Sequence, residues 1–209
     1  MTRTTLLIPA ALIAAALTLS ACTDSTEDTS AAPTTTAGAT TSVTDTATSD
    51  QEEEHSETDV MFAQMMIPHH QQAIEMSEII LAKDGIPADV TALAEEIKAA
   101  QGPEIAQLTD WLEQWGEPTE PQGGHGGHDM STMDGMLSDD EIQQLSQAQG
   151  VDAARMFMEQ MIAHHEGAIT MAEEEVAGGR YDPAVELAQT IIDTQQQEID
   201  TMRSLLNSL

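Results

Sequence analysis

An internal repeat restricts the fold more than any other feature of this chain. Met61 to Met76 reads MFAQMMIPHHQQAIEM and Met156 to Met171 reads MFMEQMIAHHEGAITM, so that at a shift of 95 nine of sixteen positions coincide. A second block repeats at a shift of 94, pairing Leu93, Ala94, Ile97, Gln101, Glu104 and Ile105 with Leu187, Ala188, Ile191, Gln195, Glu198 and Ile199. Self-similarity of this kind describes one supersecondary unit used twice. Apolar residues recur at steps of three and four, the period of a helix. Gly85 and Gly178-Gly179 stand where a first helix would stop, and Pro87 and Asp182-Pro183 where a second would start. Each half is therefore predicted to be a helical hairpin, over 58–116 and 151–209.

The link between the hairpins, 117–150, is long, and Ser138-Asp139-Asp140-Glu141 within it is a capping box that opens a short helix. Two antiparallel helix pairs joined by one long crossover have the connectivity of a ferritin-like four-helix bundle, so the expected fold is all-α. Composition agrees. With only two Phe, two Trp and one Tyr against 13 Met, the core must come from Ala, Leu, Ile, Val and Met, which favours helices over sheets. The folded domain is expected to run over 58–209.

Asp and Glu number 37 against 6 Lys and Arg, a formal charge of −31, which excludes a nucleic-acid binder and attracts cations. The lone cysteine rules out a disulfide framework within one chain and any Cys-based metal cage. Met1 to Ala21 reads as a signal peptide: Arg3, an apolar run from Leu6 to Leu19, then Leu19-Ser20-Ala21 before Cys22. That ending resembles a bacterial lipobox, which implies a lipid on Cys22 and a protein tethered to a membrane outside the cytoplasm. Residues 22–57 are rich in Thr, Ser, Ala and acids and bury too little to fold, so they are expected to be a disordered tether.

Polar residues interrupt every helical seam at one level. Counted from the hairpin turn, His69 on the first helix lies level with Gln101 and Glu104 on the second, and His164 repeats this with Gln195 and Glu198. Met66 and Met161 lie one turn away, while His70 and His165 face aside, to complete a ligand shell or be solvated. Such a layer is costly unless its members satisfy one another or bind something. Met-x-x-His puts a thioether and an imidazole on one face, a soft pair that selects Cu(I) or Ag(I) over Mg or Ca. Glu104 and Glu198 would equally suit iron, manganese, zinc or Cu(II). Pro68 and Pro103 fall beside this layer, and Gln101 and Gln195 are expected to orient the two Glu carboxylates. The crossover adds His125, His128, Met130, Met133 and Met136 in a Gly-rich tract, 123–136, where methionine has no packing purpose.

The paired Met-x-x-His-His-x-x-Ala-Ile-x-Met helices, each followed by Gln-x-x-Glu-Ile, resemble the bacterial domain of unknown function 305 family over about 58–209. The resemblance implies a ferritin-like helical protein, commonly exported, with copper binding in some members. It carries metal binding onto Met66, His69, His70, Met161, His164 and His165; Glu104 and Glu198 rest on the seam alone. The expectation is a membrane-anchored copper-binding protein of metal homeostasis or tolerance, with a metal ion, a membrane and a delivery protein or second copy as partners. Two other readings fit the same residues: a small ferritin-like redox enzyme, although no substrate-pocket signal accompanies it, and a metal-free structural bundle.

Overall fold

The structure is a computed structural model and describes residues 54–120 and 133–209. The expected signal segment, Cys22, most of the expected tether, and His125, His128 and Met130 of the crossover lie outside the described residues. Five helices follow in order: α1 (Glu57–Leu81), α2 (Ala88–Trp115), α3 (Asp139–Gln147), α4 (Gly150–Gly178) and α5 (Asp182–Ser208). Among the described residues there is no strand. No described helix is long and apolar enough to cross a membrane.

Local chemistry sets the ends. Ser56 caps α1 in a capping box closed by Asp59, and Ser138 does the same for α3 with Glu141. Gly116 ends α2 in the left-handed region at φ 73°, where only glycine is unstrained. Pro183 stands in the first turn of α5, where its missing N–H costs nothing. Both Pro68 and Pro103 lie inside helices that continue past them.

α1 packs along α2, α4 along α5, and α1 against α4, whereas α2 and α5 scarcely meet; the short α3 rests on α1 and α4. This places α1 and α4, the two His-His helices, at the centre. The core then divides into two apolar clusters. One joins Ala73, Met76 and Ile80 of α1 to Val90–Ile97 of α2, Phe157 and Met161 of α4, and Ile199 and Met202 of α5. The other joins Phe62 and Met66 to Leu108, Trp111 and Leu112, Ala168 and Ala172, and Ala184–Ile191. Between them on each of the four long helices sit the polar residues, so the interruption is at one level, as periodicity predicts. Repeat-related pairs, Phe62 with Phe157 and Met66 with Met161, fall in opposite clusters. Met171, Trp115 and Leu205 are half-buried at the margins of these clusters.

Candidate metal centre

His69 and His164 meet at the middle of the α1–α4 contact, their ring centroids 3.7 Å apart and tilted by 41°. Both are fully buried, as are Met66 and Met161. Burial, reinforced by the neighbouring His70, pushes the His69 imidazole down to about 3. Burial likewise holds His164 well below the usual histidine range, with His69, His165 and His70 adding to the shift. Both rings are therefore neutral at pH 7, the state in which imidazole ligates a metal.

Hydrogen bonding then decides which nitrogen is free. The Asp134 carbonyl accepts from His69 Nε2 at 3.4 Å, leaving Nδ1 of the neutral ring as a lone-pair site. That Nδ1 has no partner, and neither nitrogen of His164 has one. The adjacent histidines are not solvated. His70 and His165 are fully buried and donate from Nε2 to Glu104 at 2.7 Å and Glu198 at 2.6 Å. Their Nδ1 atoms are also unpartnered. Helical spacing sets each glutamate level with His69 or His164, but in the structure it pairs with the next residue along, and the two carboxylates are 15 % and 18 % exposed. A step of one residue turns a helix by about 100°. Contact between helices decides which of two adjacent histidines reaches the glutamate, and periodicity alone does not carry that information.

Gln101 and Gln195 also depart from expectation. Both are buried, yet neither makes a hydrogen bond to a glutamate; both amide atoms of Gln101 and Oε1 of Gln195 lack partners. The centre is thus buried and under-satisfied, with polar side chains on all four long helices. Among the described residues no three His, Cys, Asp or Glu groups are gathered as a ready cage. The ligand-type atoms present are therefore a pair of imidazoles, flanked by thioethers and amides, with two His–Glu pairs to the sides.

The crossover contributes what the sequence hid. Far from being solvent-facing, Met133 is 7 % exposed and Leu137 is 8 %, while Met136 is half-buried. Gln72 of α1 binds both the N–H and the carbonyl of Leu137, at 2.7 and 2.8 Å. Gly135 has φ 84°, and a Cβ there would come within 2.6 Å of the Ala163 carbonyl. A Cβ on Gly167 would fall on the Asp134 carbonyl. Residues 133–137 are therefore a strap pressed onto α4 across the histidine pair, and Gly167 is the signal in the sequence that could have revealed it. Gly167→Ala should lift the strap and lower stability by about 2 kcal/mol. Thermal unfolding checks this, and an unchanged midpoint would contradict so close an approach.

Solved structures share the helical fold of this chain. A crystal structure of a DUF305 protein of Streptomyces coelicolor, described as secreted, is 30% identical, covers 72% of this chain and 91% of its own, and superposes with a TM-score of 0.66. A DUF305 fragment from Deinococcus radiodurans is 31% identical over 74% of this chain and 98% of its own, with a TM-score of 0.66. CopM in a Cu(II)-bound form is 32% identical over 72% of this chain and 96% of its own, with a TM-score of 0.60, and similar matches extend to its Cu(I)- and Ag-bound forms. No curated protein matches the chain. The family described as Domain of unknown function (DUF305) matches residues 59–206, and the chain belongs to that family.

Proposed function

We propose that this is a copper-binding protein of metal homeostasis or tolerance, exported and held to a membrane by lipid on Cys22. One observation carries the reading: the buried His69–His164 pair, three of whose four ring nitrogens have no partner. Unpartnered polar atoms in a buried core cost about 1–3 kcal/mol each, and a bound cation relieves that cost at the lone pairs. Neutral imidazole with thioether is a donor set for Cu(I) and for Ag(I), its mimic. Met66, His69, Met161 and His164 would hold the ion. His70 and His165 stand beside them, oriented by Glu104 and Glu198 as carboxylates orient ligand histidines elsewhere. The likeness to CopM, which is known in Cu(I), Cu(II) and Ag-bound forms, supports the same chemistry.

In the same reading the domain over 58–209 is a ferritin-like four-helix bundle of two duplicated hairpins, 58–116 and 151–209. The placing of repeat-related residues in opposite apolar clusters supports a twofold axis through the polar layer. The His/Met tract of the crossover, His125, His128, Met130, Met133 and Met136, would take up the ion before the layer holds it. Titrating the protein with Cu(I) against a competing chromophoric chelator tests this. Binding should fall in two stages, one lost on replacing the tract residues and one on replacing His69 and His164. Failure of the unaltered protein to compete for copper would end the reading.

A further inference from the structure

At the end of the bundle where α1 begins and α2 ends, a cavity of about 630 Å³ is lined by His55, Ser56, Glu57, Met61, Gln64 and Glu117, among others. It lies away from the histidine layer and includes none of that layer's residues. Three side-chain facts make it more than a surface hollow. His55 stacks flat on Trp115, with ring centroids 4.6 Å apart and planes within 9°. Stacking uses the faces of the ring and leaves the nitrogens at its edge free, and no hydrogen bond to another described residue engages them. Met61 is 44 % exposed, so its thioether adds nothing to the core. Glu57 and Glu117 add carboxylates to the lining. A smaller cavity of about 300 Å³ shares Gln64 and runs beside Ile67 and Pro68, the residues that precede His69. Pro68 has no N–H to offer the Gln64 carbonyl four residues back.

We propose that the larger cavity is a second, solvent-facing site for a thiophilic metal ion, Cu(I) or Ag(I), bound through the His55 imidazole and the Met61 thioether. Imidazole with thioether is a soft donor pair, and the two carboxylates raise the local cation concentration. The inference shares its donor chemistry with the proposed function but does not require the buried layer to be loaded.

The site carries its own reporter. Both tryptophans of the chain, Trp111 and Trp115, lie in one aromatic cluster with Tyr181 and His55. Silver ion added to the full chain in chloride-free buffer should quench tryptophan emission by the heavy-atom effect. His55→Phe keeps the stacked ring without its donor nitrogens and should abolish the quenching and remove one bound ion by equilibrium dialysis. Met61→Leu should weaken both, with circular dichroism unchanged. The His69→Leu/His164→Leu protein should still quench, which separates this site from the buried one. Undiminished quenching and unchanged stoichiometry in His55→Phe would overturn the proposal, even if the buried layer binds.

Discussion

Replacing His69 and His164 together with leucine should make the metal-free protein more stable and deprive it of its response to metal. In the native chain two neutral rings are buried in contact, and three of their nitrogens lack partners. Leucine removes those stranded polar atoms and continues the apolar clusters on either side. Allowing for imperfect repacking, a gain of about 2 kcal/mol follows, or roughly 4–8 °C in midpoint for a domain of this size. The native protein should instead gain from copper or silver. At a free concentration one hundred times the dissociation constant, mass action stabilises the folded state by about 2.7 kcal/mol, on the order of 5–10 °C. Thermal scans of both proteins with and without Ag(I) check the two effects together. A native midpoint indifferent to the ion would favour a histidine layer that serves only packing and register.

Removing the Asp59 carboxylate should be the most damaging single change outside the metal centre. Asp59 is fully buried and closes the α1 capping box, accepting from the Ser56 N–H and hydroxyl. It also accepts from the Arg180 N–H at 3.0 Å and the Tyr181 N–H at 3.0 Å, tying the start of α1 to the α4–α5 turn. Asp59→Ala strands these donors and should cost about 3 kcal/mol, seen as a lower unfolding midpoint. Against Asp59 lies the buried Glu175. Burial first, and then the Asp59 hydrogen bond and charge, push the Glu175 carboxyl up to about 8. Burial opposes ionisation of Asp59 too, but hydrogen bonds from Glu175, Ser56 and Tyr181 outweigh it and hold it at about 2. The pair therefore shares one proton at neutral pH. Gly179 is glycine here because a Cβ would fall on the Glu175 carboxylate.

The pH dependence follows from the direction of each shift. A raised carboxyl binds its proton more tightly in the folded state, so its contribution is complete below 4.5 and is lost as pH rises through about 8. A lowered carboxyl contributes above 3.8 and loses that contribution as pH falls through about 2. The depressed His69 and His164 make stability rise with pH up to about 6.5, so the decline due to Glu175 should be seen in the native protein from about pH 7 to pH 9. Glu175→Gln, which keeps the size of the side chain but does not titrate, should flatten that decline. Parallel curves for the two proteins would remove Glu175 as its cause.

The repeat and its period made much of this legible. They placed the helices, the capping box at Ser138, and the level at which His69, Gln101, His164 and Gln195 interrupt the core, because helical phase is a property of the chain itself. Partner choice was less accessible. That Glu104 meets His70 rather than His69, and that Asp59 meets Glu175, depends on how helices remote in sequence are rotated and crossed. The crossover misled for a different reason: Met133 follows a Gly-rich tract, but close backbone contact through Gly135 and Gly167 buries it, and glycine in sequence marks a flexible loop and a tight contact alike.

Anomalous diffraction from crystals of the Cu(I)-loaded protein tests the central claim most directly, because it locates the ion without reference to affinity. A copper peak is expected in the polar layer, within bonding distance of His69 and His164 and of a thioether from Met66 or Met161. Copper found only on surface carboxylates, with the two imidazoles still in contact and unliganded, would contradict it.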